Sequence, residues 1–291
     1  MKPVLLLGPD HDACLSSFAE YARALHCPCA YMTDFTDIRF AIKDETDVRP
    51  HSKSQVILKV PSLGDEEWNS SGILIRTPHS ILPAVKSDED QFKMMEYFAA
   101  LWSLCAMHTG TVINRPGVLE WNYERLFKDR LLAGEFVGEF RLSQVDDLLP
   151  VWNAARSETS CREIHTESAI SFRRAIFAGI EEMRSLNQAQ HDHYRSIIAE
   201  SSRYIIHICV GDWHTTVLNE YDYPTDSENH LNYVKHIARV AASCGILFFA
   251  IVLTLVEDTP KIVRIDTNPQ FAWYAGAVEE VNRHLFEVLQ R

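Results

Sequence analysis

The last third of the chain carries a pattern that few folds can accommodate. "RYIIHICVGDWHTTVL", from Arg203 to Leu218, is two strand-like apolar runs broken by Gly211-Asp212, and "AIVLTLVEDTPKIVRIDT", from Ala250 to Thr267, is a second such pair around Glu257 to Pro260. Turn residues between β-branched runs predict two hairpins. Between them, "SENHLNYVKHIARVAASCGI" places Ser227 to cap a helix that Gly245 ends. Serine accepts an orphaned N–H of the first turn, and glycine tolerates the left-handed conformation that follows the last. The amphipathic stretch "FAWYAGAVEEVNRHLFEVLQ" predicts a closing helix.

Earlier segments alternate strand and helix. Val4 to Leu7 reads as a buried strand, Asp12 to Leu25 as a helix, and Gln55–Lys59 and Gly72–Arg76 as further strands. "SDEDQFKMMEYFAALWSLCAMH", Ser87 to His108, has a serine cap, an acidic first turn and an apolar stripe, which together predict a helix. "TVINRPGVLEWNYERLFKDRLLAGEF" then reads as a short strand, a turn at Pro116-Gly117 and a helix ending near Gly134. From about Arg141 to Glu200 the chain is more polar, with "RLSQVDDLLPVW" and "SFRRAIFAGIEEM" as its clear apolar patterns. These segments divide the chain into an N-terminal α/β domain (1–110), a central lobe (111–200) and a C-terminal lobe (201–291).

Charge and cysteine usage narrow the partners. Forty acidic against 28 basic residues, a formal charge of -12, oppose binding to nucleic acid or to an anionic membrane surface. The apolar run from Gly245 to Val256 is too short to span a bilayer, and "MKPVLLLGPDHD" is too short for a signal-peptide core. The cysteines at 14, 27, 29, 105, 161, 209 and 244 are scattered, mostly within apolar segments, the usage of a reducing compartment; a cytoplasmic protein is expected. Cys27 and Cys29, with His26, form half of a metal-ligand pattern that no second pair answers, and His191, Asp192 and His193 lack a second pair likewise. Trp102, Trp121, Trp152 and Trp273 read as core rather than as a base-stacking platform. "LLLGPDHD" lacks the glycine spacing of a dinucleotide fingerprint, and neither a P-loop nor a Gly-x-Ser-x-Gly elbow occurs.

The chemistry-bearing residues follow the second hairpin. In "RIDTNPQFAW", Asp266 and Asn268 stand two residues apart on a strand, hence on one face, where a carboxylate and an amide oxygen can bind Mg²⁺. The alternative is an Asx-rich turn after an edge strand. Asp266-Thr267-Asn268-Pro269, after a hairpin–helix–hairpin order, resembles the last strand of the ATP-grasp ligases that modify ribosomal peptides. "TVINRPG" and "GILIRTP" look like that family's strand into the ATP-grasp portion and its N-terminal-domain segment, and "HICVGDW" like the strand pair crossing the nucleotide cleft.

The resemblance implies an α/β, ATP-grasp-like fold, with an N-terminal α/β domain followed by two α+β lobes enclosing the cleft. It implies an ATP- and Mg²⁺-dependent ligase that joins a carboxylate to an amine through an acyl-phosphate, on a peptide or small-molecule carboxylate; a homodimer is left open. Asp266 and Asn268 would hold the metal, Arg125 or Lys128 would neutralise phosphate charge, and Arg76 or Arg115 would orient the acceptor. For the two last arginines, a salt-bridged surface position is the alternative.

Four departures stand against an active site. The position for a second metal carboxylate falls on Val252, and that for a cleft arginine on Ile206. The helix after "NRP" offers Arg125 and Lys128, and the central "SCREIHTES" offers Arg162 and His165 in place of a lysine. Either Glu257 or Glu220 supplies the missing carboxylate, or the nucleotide site has decayed and the chain is a non-catalytic binding or scaffold protein of the same fold.

Overall fold

A computed structural model describes residues 1–8, 11–32, 71–76, 108–115 and 203–291, single positions between 89 and 136, and the main chain of strands between 39 and 199. Val4–Leu7 is apolar throughout, which suits a strand covered on both faces, and forms β1 with every residue buried. Asp12 then caps helix α1 (Ala13–Ala24), its carboxylate accepting from Leu15 N at 2.9 Å. Strands β2 (Cys29–Met32), β5 (Gly72–Ile75) and β6 (Val112–Ile113) join β1 in a parallel sheet of order β2-β1-β5-β6; β3 (Arg39–Lys43) and β4 (Gln55–Lys59) form a separate antiparallel pair. Glu89, Phe92, Ser103 and Cys105 are helical, within the helix expected over 87–108; the rest of that helix before His108 lies outside the described residues.

A second, antiparallel sheet has the order β7-β10-β8-β9, from β7 (Glu139–Leu142), β8 (Glu163–Ser168), β9 (Arg174–Phe177) and β10 (Tyr194–Ala199). The third contains both hairpins read from the sequence. β11 (Ile205–Val210) turns through Gly211-Asp212 into β12 (Trp213–Asn219), helix α2 (Glu228–Ser243) follows, and β13 (Phe248–Val256) turns into β14 (Thr259–Asp266). The strand order is β12-β11-β13-β14. Glu257 and Asp258 take positive φ of 48° and 59°, the geometry of a two-residue hairpin turn. Pro260, which lacks an N–H, is tolerated because β14 is an edge strand.

Ser227 occupies the cap position of α2 with extended dihedrals, but its side chain makes no capping bond; Gly245, at φ 79°, ends the helix. The closing segment is not one helix. It divides into α3 (Phe271–Tyr274), a 3₁₀ turn over Ala275–Ala277 and α4 (Val278–Leu289). The break lets Tyr274 stay buried edge-on against Phe248, at 5.9 Å between centroids, while α4 lies on α1.

The two faces of the third sheet are covered differently. Ile205, Cys209, Phe249, Ile251 and Leu253 pack under α2, against Val234, Ile237, Ala238 and Ala241. His207 is enclosed on this face and meets His230 of α2 Nε2 to Nε2 at 2.9 Å, while Thr216 Oγ1 lies 3.3 Å from its Nδ1. Burial, with the neighbouring imidazoles of His230 and His214, pushes His207 down to about 3, so the pair is neutral. The other face shares one core with the N-terminal sheet: Ile208, Phe248 and Ala250 pack with Val4, Leu6, Phe18, Leu74, Ile113 and Leu285. A β-carbon at Gly72 would come within 2.8 Å of the Leu289 carbonyl, so only glycine lets the end of α4 lie this close to β5.

Candidate functional site

The end of β14 brings Asp266 to the seam between the first and third sheets. The ladder pairs Asp266 with Ala250 and Arg264 with Val252, while Val252 also faces Ile206 on β11, and Ile206 faces Leu218 on β12. Paired residues point to the same side, so one row across the four strands reads Leu218, Ile206, Val252, Arg264, with Asp266 one step further on that face. Asp266 is buried at 7% exposure. β14 ends at Asp266, so Asn268 does not share its strand as expected but lies in the turn beyond: Asp266 Oδ1 accepts from Asn268 N at 2.9 Å, an Asx turn, and its Oδ2 lies 3.7 Å from Arg264 Nη2. The Arg264 guanidinium rests 4.8 Å above the Trp273 ring.

Two residues from the N-terminal half hold this corner in place. Asn114 Oδ1 accepts from Leu247 N and Phe248 N, both at 2.8 Å, and its Nδ2 donates to the carbonyls of Phe248 and Thr267. It thus clamps the start of β13 to the turn after β14. Arg76, just beyond β5, donates from Nε to Asp12 at 2.9 Å and from Nη2 to the Pro269 carbonyl at 2.8 Å. Its Nη1 is buried without a partner among the described residues.

Arg115 is turned into the framework. Its guanidinium donates to the carbonyls of Cys105, His108 and Gly110, satisfying main-chain oxygens around the end of the preceding helix. Glu220 accepts from Tyr204 N at 2.7 Å beyond the outer end of β12, across the sheet from β14 and roughly 14 Å away by strand spacing alone. Glu257 sits exposed in the turn at the far end of the β13–β14 ladder, roughly 20 Å along it from Asp266. Arg125, Lys128 and Arg162 lie outside the described residues, and of His165 only the main chain, on β8, is described.

Among the described residues, the Asp266 corner does not offer the donor set of the metal that the resemblance implies. Mg²⁺ demands near-octahedral oxygen ligands and is best served here by a second carboxylate, yet Val252 occupies that place, and neither Glu220 nor Glu257 reaches it. A guanidinium already faces the Asp266 carboxylate. At an effective dielectric of about 20, a divalent ion roughly 4 Å from that guanidinium would be repelled by on the order of 8 kcal/mol. Among the described residues, no group of three or more His, Cys, Asp or Glu side chains could hold a metal ion.

Asn114 and Arg264 were hidden in the sequence for different reasons. Asn114 lies inside "INRPG", where the neighbouring arginine draws the eye, and its partners are more than 130 residues away. Arg264 is an ordinary edge-strand residue until the ladder sets it opposite Val252. The period-two spacing of Arg264 and Asp266 was the available signal.

No family model matches the chain, and no curated protein is similar to it in sequence. Solved structures are similar over nearly its whole length. The macrocyclase MdnC from Microcystis aeruginosa MRC, bound with the precursor peptide MdnA, superposes with a TM-score of 0.67 at 13% identity, over 99% of this chain and 98% of that one. A RiPP-associated ATP-grasp ligase from Chryseobacterium gregarium, in complex with ADP and a leader and core peptide, gives 0.60 at 10% identity over 99% and 96%. The ATP-grasp ligase PsnB, complexed with a minimal precursor, Mg and ADP, gives 0.63 at 10% identity over 98% and 97%. The chain therefore has the ATP-grasp fold, in the form seen in ligases of ribosomal peptide modification. Among the described residues, no helix is long and apolar enough to cross a membrane.

Proposed function

We propose that this chain is an ATP-dependent carboxylate–amine ligase acting on a peptide. The observation that carries the reading is the anchoring of the Asp266–Asn268 turn from the other half of the molecule, by Asn114 and Arg76, within a fold matched end to end by peptide-directed ligases. In the reaction, a carboxylate oxygen of the substrate attacks the γ-phosphorus of ATP and ADP leaves. An amine nitrogen then attacks the acyl carbon, loses its proton and expels phosphate. The protein's part is positioning and charge stabilisation. Arg125 or Lys128 meets phosphate charge, Asp266 and Asn268 shape the corner, and Arg76 and Arg115 hold the strands that approach the acceptor.

ATP with Mg²⁺ should raise the melting temperature, because ligand binding to the folded state adds about 2.7 kcal/mol at a hundredfold excess over Kd. ADP should then form only when a peptide carboxylate is supplied. No shift at millimolar ATP would reject the ligase. A second reading, a non-catalytic peptide-binding or scaffold protein of this fold, is favoured by the apolar row at Ile206 and Val252. It predicts peptide binding with no response to ATP.

A further inference from the structure

The row that crosses the third sheet contains one cation, on β14, and no carboxylate: Leu218, Ile206, Val252, Arg264. Val252 cannot ligate a metal, and the residue directly opposite it is the arginine whose Nη2 lies 3.7 Å from Asp266. The two departures therefore meet at one cross-strand pair. With valine on β13 and a guanidinium on β14, a singly charged cation stands beside Asp266.

We propose that Arg264 stands in the place of a metal ion at this corner, as the built-in counter-cation of Asp266, and that it offers N–H donors directly to an anionic oxygen of the ligand. Three features carry this. The guanidinium is supported from one side by Trp273, a flat surface that favours a cation and fixes the plane of the fork. It keeps 20% side-chain exposure, so it is not sealed from a ligand. Among the described residues its N–H groups make no hydrogen bond, the carboxylate at 3.7 Å being beyond that range, so the donors are available to a phosphate or carboxylate oxygen. A phosphate oxygen would be taken by charge-assisted N–H donation without a bridging ion. The anion-binding half of this proposal rests on the ligase reading; the counter-cation half does not.

The test is a Mn²⁺ titration of the full chain, followed by electron paramagnetic resonance of the free ion and by melting temperature, beside ATP binding by calorimetry in chelator and in Mg²⁺. The variants are Arg264→Gln and the pair Val252→Asp with Arg264→Phe. Wild type is expected to leave Mn²⁺ free and to bind ATP equally, within about twofold, with and without Mg²⁺. Arg264→Gln should weaken ATP in chelator by roughly tenfold, one lost charge-assisted contact. The paired variant should acquire Mn²⁺ binding. If Val252→Asp does not fold, Arg264→Glu decides, since it puts the second carboxylate on β14, and Mn²⁺ should raise its melting temperature and not that of the wild type.

Mn²⁺ binding by the wild type that Asp266→Asn abolishes, or an identical Mn²⁺ response of wild type and the carboxylate variant, overturns the counter-cation. ATP binding that requires Mg²⁺ overturns the direct anion contact while supporting the ligase. No ATP binding under any condition removes both the ligase and the anion contact. Mn²⁺ gained only by the variants would still establish Arg264 as the counter-cation in that event.

Discussion

The two faces of the C-terminal sheet handle polar groups in opposite ways. Under α2 the face is sealed by a helix of its own lobe, and the titratable groups His207 and His230 are held there as neutral imidazoles in contact, with His230 Nδ1 buried and without a partner among the described residues. Toward the N-terminal sheet the face is a seam, and there the groups are charged: Arg76 with Asp12, and Arg264 with Asp266. A sealed face cannot solvate charge, so its titratable groups stay neutral. A seam brings opposite charges from distant parts of the chain and leaves an edge where one of them remains reachable.

The comparison breaks most readily at the buried seam pair. Arg76→Met should cost roughly 3 kcal/mol, because it leaves the Asp12 carboxylate and the Pro269 carbonyl without their donor; a fall of the urea midpoint at unchanged slope would show this. An effect under about 1 kcal/mol would mean that the seam is wetter than its burial implies. Asn114→Ala should follow at roughly 2 kcal/mol, since it strips partners from two N–H groups and two carbonyls at once. The same melt should show weaker coupling between the first and third sheets.

The sealed face is tested by acid. His207 is held neutral when folded, pushed down to about 3, whereas the unfolded chain takes up that proton near pH 6.5. The unfolded state therefore binds more protons between these values. Its contribution is full above about pH 6.5 and is lost as the pH falls toward 3, by about 2 kcal/mol at pH 5. His207→Leu should flatten the slope of unfolding free energy between pH 7 and pH 5; an unchanged slope would assign it to other groups. The smallest effect on stability belongs to the open edge. Arg264→Gln should cost about 1 kcal/mol or less, because its ion pair is long and partly solvated. A stability loss matching that of Arg76→Met would erase the distinction between buried seam and open edge.

Much of the architecture was legible because it is local. The turn at Gly211-Asp212, the turn within Glu257 to Pro260 and the Gly245 stop follow from dihedral preferences of a few neighbouring residues. The place of Asp266 at the end of an edge strand was legible for the same reason. The broken closing helix was not, because an amphipathic period over "FAWYAGAVEEVNRHLFEVLQ" does not record that Tyr274 must turn into the seam core.

By itself the sequence determined where the two C-terminal hairpins and the helix between them lie, that Asp266 stands at a strand end, and that Val252 and Ile206 are apolar where the resemblance implies charge. Tertiary structure alone decided what those substitutions mean. Strand register sets Arg264 opposite Val252, Asn114 reaches the Thr267 carbonyl from 153 residues away, and His207 finds His230 across a helix–sheet interface. Local dihedral preference is written residue by residue. Which charge faces which depends on pairings between segments far apart in the chain, and these exist only once the sheets have closed on one another.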